Sequence, residues 1–381
     1  MKTIIYFEDE VFYPVRTGFH RVAYNHWAYL RERRLSARLV LYVMPYDENR
    51  LDAFEWEYRD INRRIVCIGT EDPAAFRDFC RYRTPWTFDN IRRSYEVLGQ
   101  STVLRNELGS ADVFFTSYAF RAPLAGLLPS GCVGVNETHD LQARQFASMA
   151  GSEQVDEGVL AQELECYRRF QHLVMVNPVE TRFLQERLPG VRVTYVPQFL
   201  EVEPCPVDCG GADYDIVYLS SSHLSNVISI QEFYFNCYLP YLKHAGVRFA
   251  LAGSVCDAFE IGDPTVAKLG RVPDVRDVYC NAQMVVCPIT RGAGVSIKTL
   301  EALSYGKPIV ATHKALAGLS VDEKALLITD DWREFAEHVL RLKASAKALA
   351  REAQISRDVV AASHTRERYM AAMDDVFSAI L

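Results

Sequence analysis

The amino-acid sequence predicts an α/β protein of two doubly wound halves, each a parallel sheet with helices on both faces. Three observations carry that prediction. Short β-rich runs alternate with longer helical patterns from end to end, the arrangement that covers both faces of a parallel sheet. The length, 381 residues, exceeds what one core usually holds. The alternation is interrupted once, after Gln198, by a stretch with no periodic apolar face.

In the first half the compact apolar runs TIIYF, ARLVLYV, RIVCIG, ADVFFTS, CVGVNE, LVMVN and VTYVPQ, bounded by turn residues or charge, read as strands. Between them GFHRVAYNHWAYLRERR and VETRFLQERL carry apolar residues at helical spacing. The stretch FLEVEPCPVDCGGADY, with its prolines, cysteines and Gly-Gly, reads as a linker. In the second half YDIVYLS, VRFALAG, AQMVVCP, PIVAT and ALLIT read as strands, and SIQEFYFNCYLPYLKHAG and VSIKTLEALSYG as helices. A long helical tract from about Asp331 to Leu381 ends the sequence and has the length to cross back to the first half. The expected domains are 1–200, 201–365 and a returning helix over 366–381. Ligands of open α/β sheets bind outside the carboxyl ends of the strands, so a central cleft faced by both domains is the expected site.

With 49% apolar and 24% charged residues the composition is that of an ordered globular protein. The net charge of −7 argues against a nucleic-acid partner and requires any anionic ligand to be met locally. MKTIIYFEDE turns acidic after Phe7 and reads as a first strand, not a signal peptide. No run approaches the ~18 apolar residues of a membrane span. A cytoplasmic location is expected, with room for contact at the inner face of the membrane. The ten cysteines show no pairing rhythm. Cys205 and Cys209, the one close pair outside apolar segments, read as free thiols in the linker, since no second pair follows at zinc spacing.

The stretch RGAGVSIKTLEALSYGKPIVAT, Arg291 to Thr312, has the residues of an anion site. Gly292 and Gly294 let backbone approach a ligand, and a helix begins near Ser296 with its amino end attractive to anions. Lys298 is suited to neutralise a phosphate. Glu301, on the same helix face, is suited to accept from the vicinal hydroxyls of a ribose. On spacing alone the same residues also read as a Gly-rich turn before an amphipathic helix with a solvated Lys–Glu pair.

GAGVSIKTLEALSYGKPIVAT resembles the nucleotide-sugar-binding segment of GT-B glycosyltransferases, most closely those of family 4, the glycosyl transferases group 1. DIVYLSSSHLSNVISIQEFYFNCYLPYLK resembles the opening strand, serine-rich loop and helix of the same C-terminal domain. VRFALAGSV, KLGRVPDVRDVYCNAQMVVCPI and LVMVNPVETRFLQERLPGVRVTYVPQFLE fall in the family's order. The likeness runs from about Ala111 to Ala317 and is topological before that. It implies a GT-B fold of two Rossmann-like domains, the N-terminal one for the acceptor and the C-terminal one for the donor, with Lys298 on phosphate and Glu301 on ribose. Many members have a further glutamate beside the donor sugar where this chain has Ala293. The backbone amides of the Gly292–Gly294 loop are then expected to do that work. Arg291 either adds positive charge or caps its strand.

In SSSHLSN, Ser221, Ser222, His223 and Asn226 are suited to hydrogen-bond phosphate or sugar oxygens. The other reading is a polar loop with Asn226 or Ser225 as helix N-cap. GRVPD, with Val272 at its centre, fits the family loop that cradles the nucleobase through its backbone. In the first half VNETHDLQARQF ends a strand at Val135 and then presents Glu137, His139 and Asp140. Glu137 or Asp140 is placed to remove a proton from an acceptor hydroxyl and His139 to hydrogen-bond the donor sugar; an Asx-type turn with a structural histidine is the other reading. The resemblance favours the first, since family 4 commonly has a histidine near this point and some inverting GT-B enzymes an aspartate base. Arg144 is a helix-surface residue or a phosphate contact. Gly18 matches, weakly, the glycines that members have where acceptor or phosphate approaches. RYRTPWTFDNIRRSYEVL, from Arg81, reads as an amphipathic helix with snorkelling arginines or as a membrane rest for a lipid-linked acceptor.

The expected activity is transfer of a sugar from a UDP-, GDP- or other nucleoside-diphosphate sugar to a hydroxyl of a glycan, lipid-linked saccharide or protein. Retention is expected on family grounds, with inversion open through Asp140. Neither a cofactor nor a metal is expected, because TDDW from Thr329 reads as a helix start and no other DxD-type motif lies in a suitable loop. The rival expectations are a sugar-nucleotide epimerase or phosphorylase and a catalytically silent glycan-binding partner.

Overall fold

The chain divides into one unit of Met1–Val196 with Met370–Leu381 and a second of Pro197–Tyr369. The computed structural model describes residues 2–15, 17–59, 62–206 and 211–381, so Cys209 lies outside the described residues.

The first unit holds a seven-stranded sheet of β1 (Ile4–Glu8), β2 (Ala37–Val43), β3 (Arg63–Cys67), β4 (Val113–Ser117), β5 (Val133–Thr138), β6 (His172–Met175) and β7 (Arg192–Tyr195). Their order is β3-β2-β1-β4-β5-β6-β7, and all neighbours are parallel. β1, β4 and β6 are buried at every residue, which is why their sequences are unbroken apolar runs and not alternating ones. The end of the chain completes this unit. Asp374 accepts from Arg33 Nη2 at 2.6 Å and from Tyr29 Oη at 2.9 Å, while the Phe377 and Tyr29 rings stack at 5.5 Å.

Two expectations are corrected here. RIVCIG does not continue as strand beyond Cys67: a short helix, Ile68–Glu71, begins there, and the Glu71 carboxylate turns back to accept from Cys67 N at 3.1 Å. The basic and aromatic stretch from Arg81 is not one helix. Pro73–Tyr82 and Phe88–Leu98 are separated at Pro85, which lacks an N–H, and Thr87 caps the second by accepting from Asn90 N.

The second unit holds a six-stranded parallel sheet of β8 (Tyr214–Leu219), β9 (Phe249–Ala252), β10 (Val266–Gly270), β11 (Ala282–Cys287), β12 (Ile309–Ala311) and β13 (Leu327–Ile328), in the order β10-β9-β8-β11-β12-β13. β10 is absent from the strands read in the sequence. It is an edge strand, and its Lys268 spends its ammonium on Phe259 O at 2.7 Å. The helix Leu224–Phe233 runs on into a π-helical stretch, Tyr234–Leu242, around Pro240. The final tract is three helices, Trp332–Lys343, Ala346–Ser363 and Arg366–Ser378, the first capped by Asp331 and the second by Ser345. Among the described residues no helix is long and apolar enough to cross a membrane.

Both sheets reverse their winding beside the first strand in chain order, between β1 and β4 and between β8 and β11. Crossovers leave in opposite directions there, so the loops at the carboxyl edge part and leave room for a ligand. Gly253, at the end of β9, brings a second backbone up to this point in unit two. Its φ is +89°, and a Cβ would lie 2.2 Å from Ser220 O. Gly253→Ala therefore meets both a left-handed backbone and a carbonyl, and is expected to lower stability by at least about 2 kcal/mol. A urea midpoint that does not move would show that the two loops can separate at no cost.

Candidate functional site

In the second unit the loop after β11 takes the backbone that its glycines permit. Gly292 has φ +112° and Gly294 φ +75°, with Ala293 between them. Ser296 caps the helix Ile297–Ser304 by accepting from Thr299 N at 3.3 Å. Lys298, in the first turn, reaches back to the end of β8 and the helix that follows it, where its Nζ donates to Ser220 Oγ at 2.9 Å and to Asn226 Oδ1 and lies 5.6 Å from the centre of the Tyr218 ring. No carboxylate among the described residues pairs with it. Burial lowers the ammonium to about 8, so the cation is present below that pH.

The loop after β8 is built around this contact. Asn226 Nδ2 donates to Ser221 O at 3.2 Å and to Ser221 Oγ at 3.0 Å, which aims its carbonyl oxygen at Lys298. Ser222 N donates to Ser254 Oγ at 2.9 Å. The N-cap of helix Leu224–Phe233 is His223, not Asn226 or Ser225: its Nδ1 accepts from Ser225 N at 3.4 Å and lies 2.7 Å from Ser225 Oγ. Burial, with the Lys298 charge behind it, lowers the His223 imidazole and keeps it neutral enough to accept.

Lys298 and Glu301 do not turn to the same neighbours. Glu301 Oε2 accepts from Tyr279 Oη at 2.9 Å, and the Tyr279 ring stacks on Tyr305 at 4.8 Å. Arg291 does not cap its strand. Its Nη2 stands 3.4 Å from Glu232 Oε1 on the helix Leu224–Phe233. Val272 packs against the core just after Gly270, whose φ is +66° and whose carbonyl accepts from Gly253 N at 2.7 Å. The loops after β8, β9, β10 and β11 are thus tied together at one edge of the sheet.

In the first unit β5 continues past Val135 to Thr138, so Glu137 is a fully buried strand residue. His139 Nε2 is 3.0 Å from Glu137 Oε2, and the ring lies 4.9 Å from that of Tyr118 and 5.5 Å from that of Phe19. Burial opposes charge on both partners. Their mutual attraction outweighs it, holding the Glu137 carboxyl below and the His139 imidazole above their ordinary ranges. Asp140 is pushed up to about 6 by burial.

Asp140 is followed by the helix Gln142–Met149, whose first amides are held by carboxylates from elsewhere. Glu163 accepts from Gln142 N at 2.8 Å, Ala143 N at 2.9 Å and Tyr167 Oη at 3.0 Å. Glu180 accepts from Leu141 N at 3.2 Å. Burial pushes Glu163 up to about 7 and Glu180 up to about 8. Arg144 is the partner of Glu180, at 3.5 Å, and lies 5.1 Å from the centre of the Phe183 ring. Gly18 is the first residue of the helix Gly18–Glu32, which Thr17 caps by accepting from His20 N at 3.2 Å.

Sequence reasoning missed the ion cluster at the β1–β4 parting. Buried Arg121 donates to Glu8 Oε2 at 2.6 Å and to Asp9 Oδ1, and Ser117 Oγ donates to Glu8 Oε1 at 2.7 Å. The acidic end of MKTIIYFEDE was the available signal. Tyr118 was missed as well. Its φ is +61°, held by its own N–H on Glu137 O at 2.7 Å and by Asn136 Nδ2 on its carbonyl at 2.9 Å. Tyr279, the partner of Glu301, left no sequence signal.

Residues 216–345 match the family model of glycosyl transferases group 1. No curated protein sequence matches the chain at a significant level. Among solved structures, sucrose-phosphate synthase from Thermosynechococcus elongatus is similar over 100% of this chain and 99% of its own, with a TM-score of 0.68 at 13% identity. A TarM variant from S. aureus, solved with fondaparinux, alpha-GlcNAc-glycerol and UDP, is similar over 99% of this chain and 100% of its own (TM-score 0.71, 10% identity). HepE from Anabaena, solved with UDP and glucose, is similar over 100% of both chains (TM-score 0.65, 11% identity). The fold is that of the GT-B glycosyltransferases.

Glu163 supplies a check on the first-unit site. Its carboxyl holds a proton to about pH 7 in the folded chain, against 4.5 ordinarily. The native state therefore binds more protons than the unfolded one between those values, and this group's contribution to stability declines as pH rises through them. Glu163→Gln does not titrate and is expected to remove that part of the slope. Urea titrations across the interval test this, and an unchanged slope would assign it to other groups.

Proposed function

We propose that the protein is a glycosyltransferase that moves a sugar from a nucleoside-diphosphate sugar to an acceptor hydroxyl. The observation that carries this reading is Lys298, an ammonium held by two neutral oxygens, with no carboxylate partner among the described residues, at the edge where β8 and β11 part. A largely buried charge normally has a counter-charge, and a diphosphate supplies one. Glu301, oriented by Tyr279, is the acceptor for the ribose hydroxyls. The amides of the Gly292–Gly294 loop lie against the donor, and the backbone around Val272 cradles the base. The family match over 216–345 supports this assignment, and UDP in two of the similar structures makes uracil the first base to test.

Departure of the diphosphate is the step these residues assist. Lys298, Arg291 and the amino end of helix Ile297–Ser304 stabilise the charge that develops on the leaving oxygen, so the step needs no metal. In the first unit, His139 is assigned to hydrogen-bond the sugar and Asp140 to offset the positive charge that grows at the anomeric carbon. The transfer retains configuration: the acceptor oxygen bonds to the anomeric carbon on the face that the phosphate leaves, and the hydroxyl proton goes to the departing phosphate oxygen. The acceptor is a glycan, a lipid-linked saccharide or a protein hydroxyl, met in the cytoplasm. For a lipid-linked acceptor the exposed Trp56 and Trp86, each beneath an arginine (Arg59 at 4.5 Å, Arg83 at 5.1 Å), provide a peripheral contact with an anionic membrane face.

Calorimetric titration with UDP, GDP and ADP tests the donor site. One nucleotide is expected to bind, with Lys298→Ala and Glu301→Ala each weakening it about tenfold or more, equivalent to about 1.4 kcal/mol. Affinity should also fall as pH rises through about 8, where Lys298 loses its proton, and Lys298→Arg should abolish that fall. Binding of none of the three would favour a silent glycan-binding protein.

The anomeric configuration of the product, read by NMR, tests the mechanism. An α-linked product from an α-donor is expected. A β-linked product would overturn retention and make Asp140 the base, with a rate that falls as pH drops through about 6. Free epimerised sugar nucleotide formed without acceptor would indicate an epimerase instead.

A further inference from the structure

One pair of side chains has no place in the chemistry above. Cys205 is buried in the segment that leads from Pro197 to β8, and Cys280 is the last residue of the helix Val275–Cys280. They are 75 positions apart, yet their sulfurs stand 2.6 Å from each other, closer than two unbonded thiols pack. The surroundings fix both backbones whether or not the sulfurs are joined. Cys205 N donates to Tyr305 O at 2.9 Å, and two residues before it the Glu203 carboxylate meets Arg276 Nη2 at 3.2 Å, on the helix that Cys280 ends.

We propose that Cys205 and Cys280 are an oxidisable pair that forms a disulfide in the folded protein and staples the segment after Pro197 to the body of the second unit. The two thiols differ in access. Cys205 is buried, and its thiol is pushed up to about 12 by that burial and by the neighbouring sulfur, so it does not react first. Cys280 is partly exposed and meets the oxidant. With hydrogen peroxide as oxidant, the Cys280 thiol takes one oxygen to become a sulfenic acid and one water leaves. The Cys205 thiol then attacks that sulfur, the S–S bond forms, and its proton departs with the sulfenic hydroxyl as a second water. Two thiols are oxidised and one peroxide is reduced. A small dithiol reverses the reaction by exchange.

The bond closes a long loop in the unfolded chain and should stabilise the second unit. The test treats the purified full-length protein with stoichiometric hydrogen peroxide, maps disulfides by peptide mass spectrometry and compares melting curves with and without dithiothreitol. Expected are a Cys205–Cys280 cross-link, the loss of two titratable thiols and a rise in Tm of about 5 °C or more. Cys205→Ala and Cys280→Ala should each abolish both the cross-link and the rise, while Cys209→Ala keeps them. A Cys205–Cys209 linkage, oxidation that stops at isolated sulfenic or sulfinic acids, or a cross-link without a change in Tm would each overturn the proposal. The wild-type map and melting curves decide it if a variant fails to fold.

Discussion

The reversal of winding beside β8 is the constraint on which the arrangement around Lys298 depends. Parallel strands are joined by crossovers, so every connecting loop at the carboxyl edge leads into a helix, and at one place in the sheet neighbouring crossovers run apart. In the second unit that place lies between β8 and β11, and the segments that follow these strands carry Ser220, Asn226 and the Gly292–Gly294 turn. Lys298 spans the gap to Ser220 and Asn226, which ties the two loops by one side chain. Gly253 then admits the end of β9 to the same point, because no side chain stands between it and the Ser220 carbonyl. The first unit repeats the plan between β1 and β4, with Arg121 as the residue that crosses.

The two candidate sites differ in how they treat buried charge. In the first, Arg121 is matched by Glu8 and Asp9, and His139 by Glu137. Such pairs cost several kcal/mol of desolvation per ion before attraction offsets it, so they hold geometry more than they add stability. In the second unit Lys298 is surrounded by neutral acceptors, and desolvation wins, which is why its ammonium is lowered while the His139 imidazole is raised. One site is electrostatically closed in itself. The other holds a cation with no counter-charge among the described residues.

Local chemistry made part of this legible. Strands buried on both faces announce themselves as apolar runs, and a left-handed turn has to be written with glycine, so the sheets and the loop at Gly292 and Gly294 could be read directly. β10 could not, since an edge strand with Lys268 in it lacks that signature. The cap at His223 went unread because histidine is outside the usual N-cap residues. The remaining misses are partnerships between distant positions. Tyr279 is 22 residues from Glu301, Glu163 is 20 and 21 from the amides it holds, and Arg121 is 113 from Glu8. Each of these residues has an unremarkable neighbourhood in sequence, and only the sheet order makes it a partner.

Tyr118 has a consequence for how this chain can change. A residue other than glycine at a φ of +61° stores about 1–3 kcal/mol of backbone strain, and here the aromatic ring that it carries flanks His139. Glycine at this position would relieve the strain, but it would also remove a ring that stacks on Phe120 at 5.0 Å and packs against the core. Backbone strain and ring packing therefore pull in opposite directions at one codon.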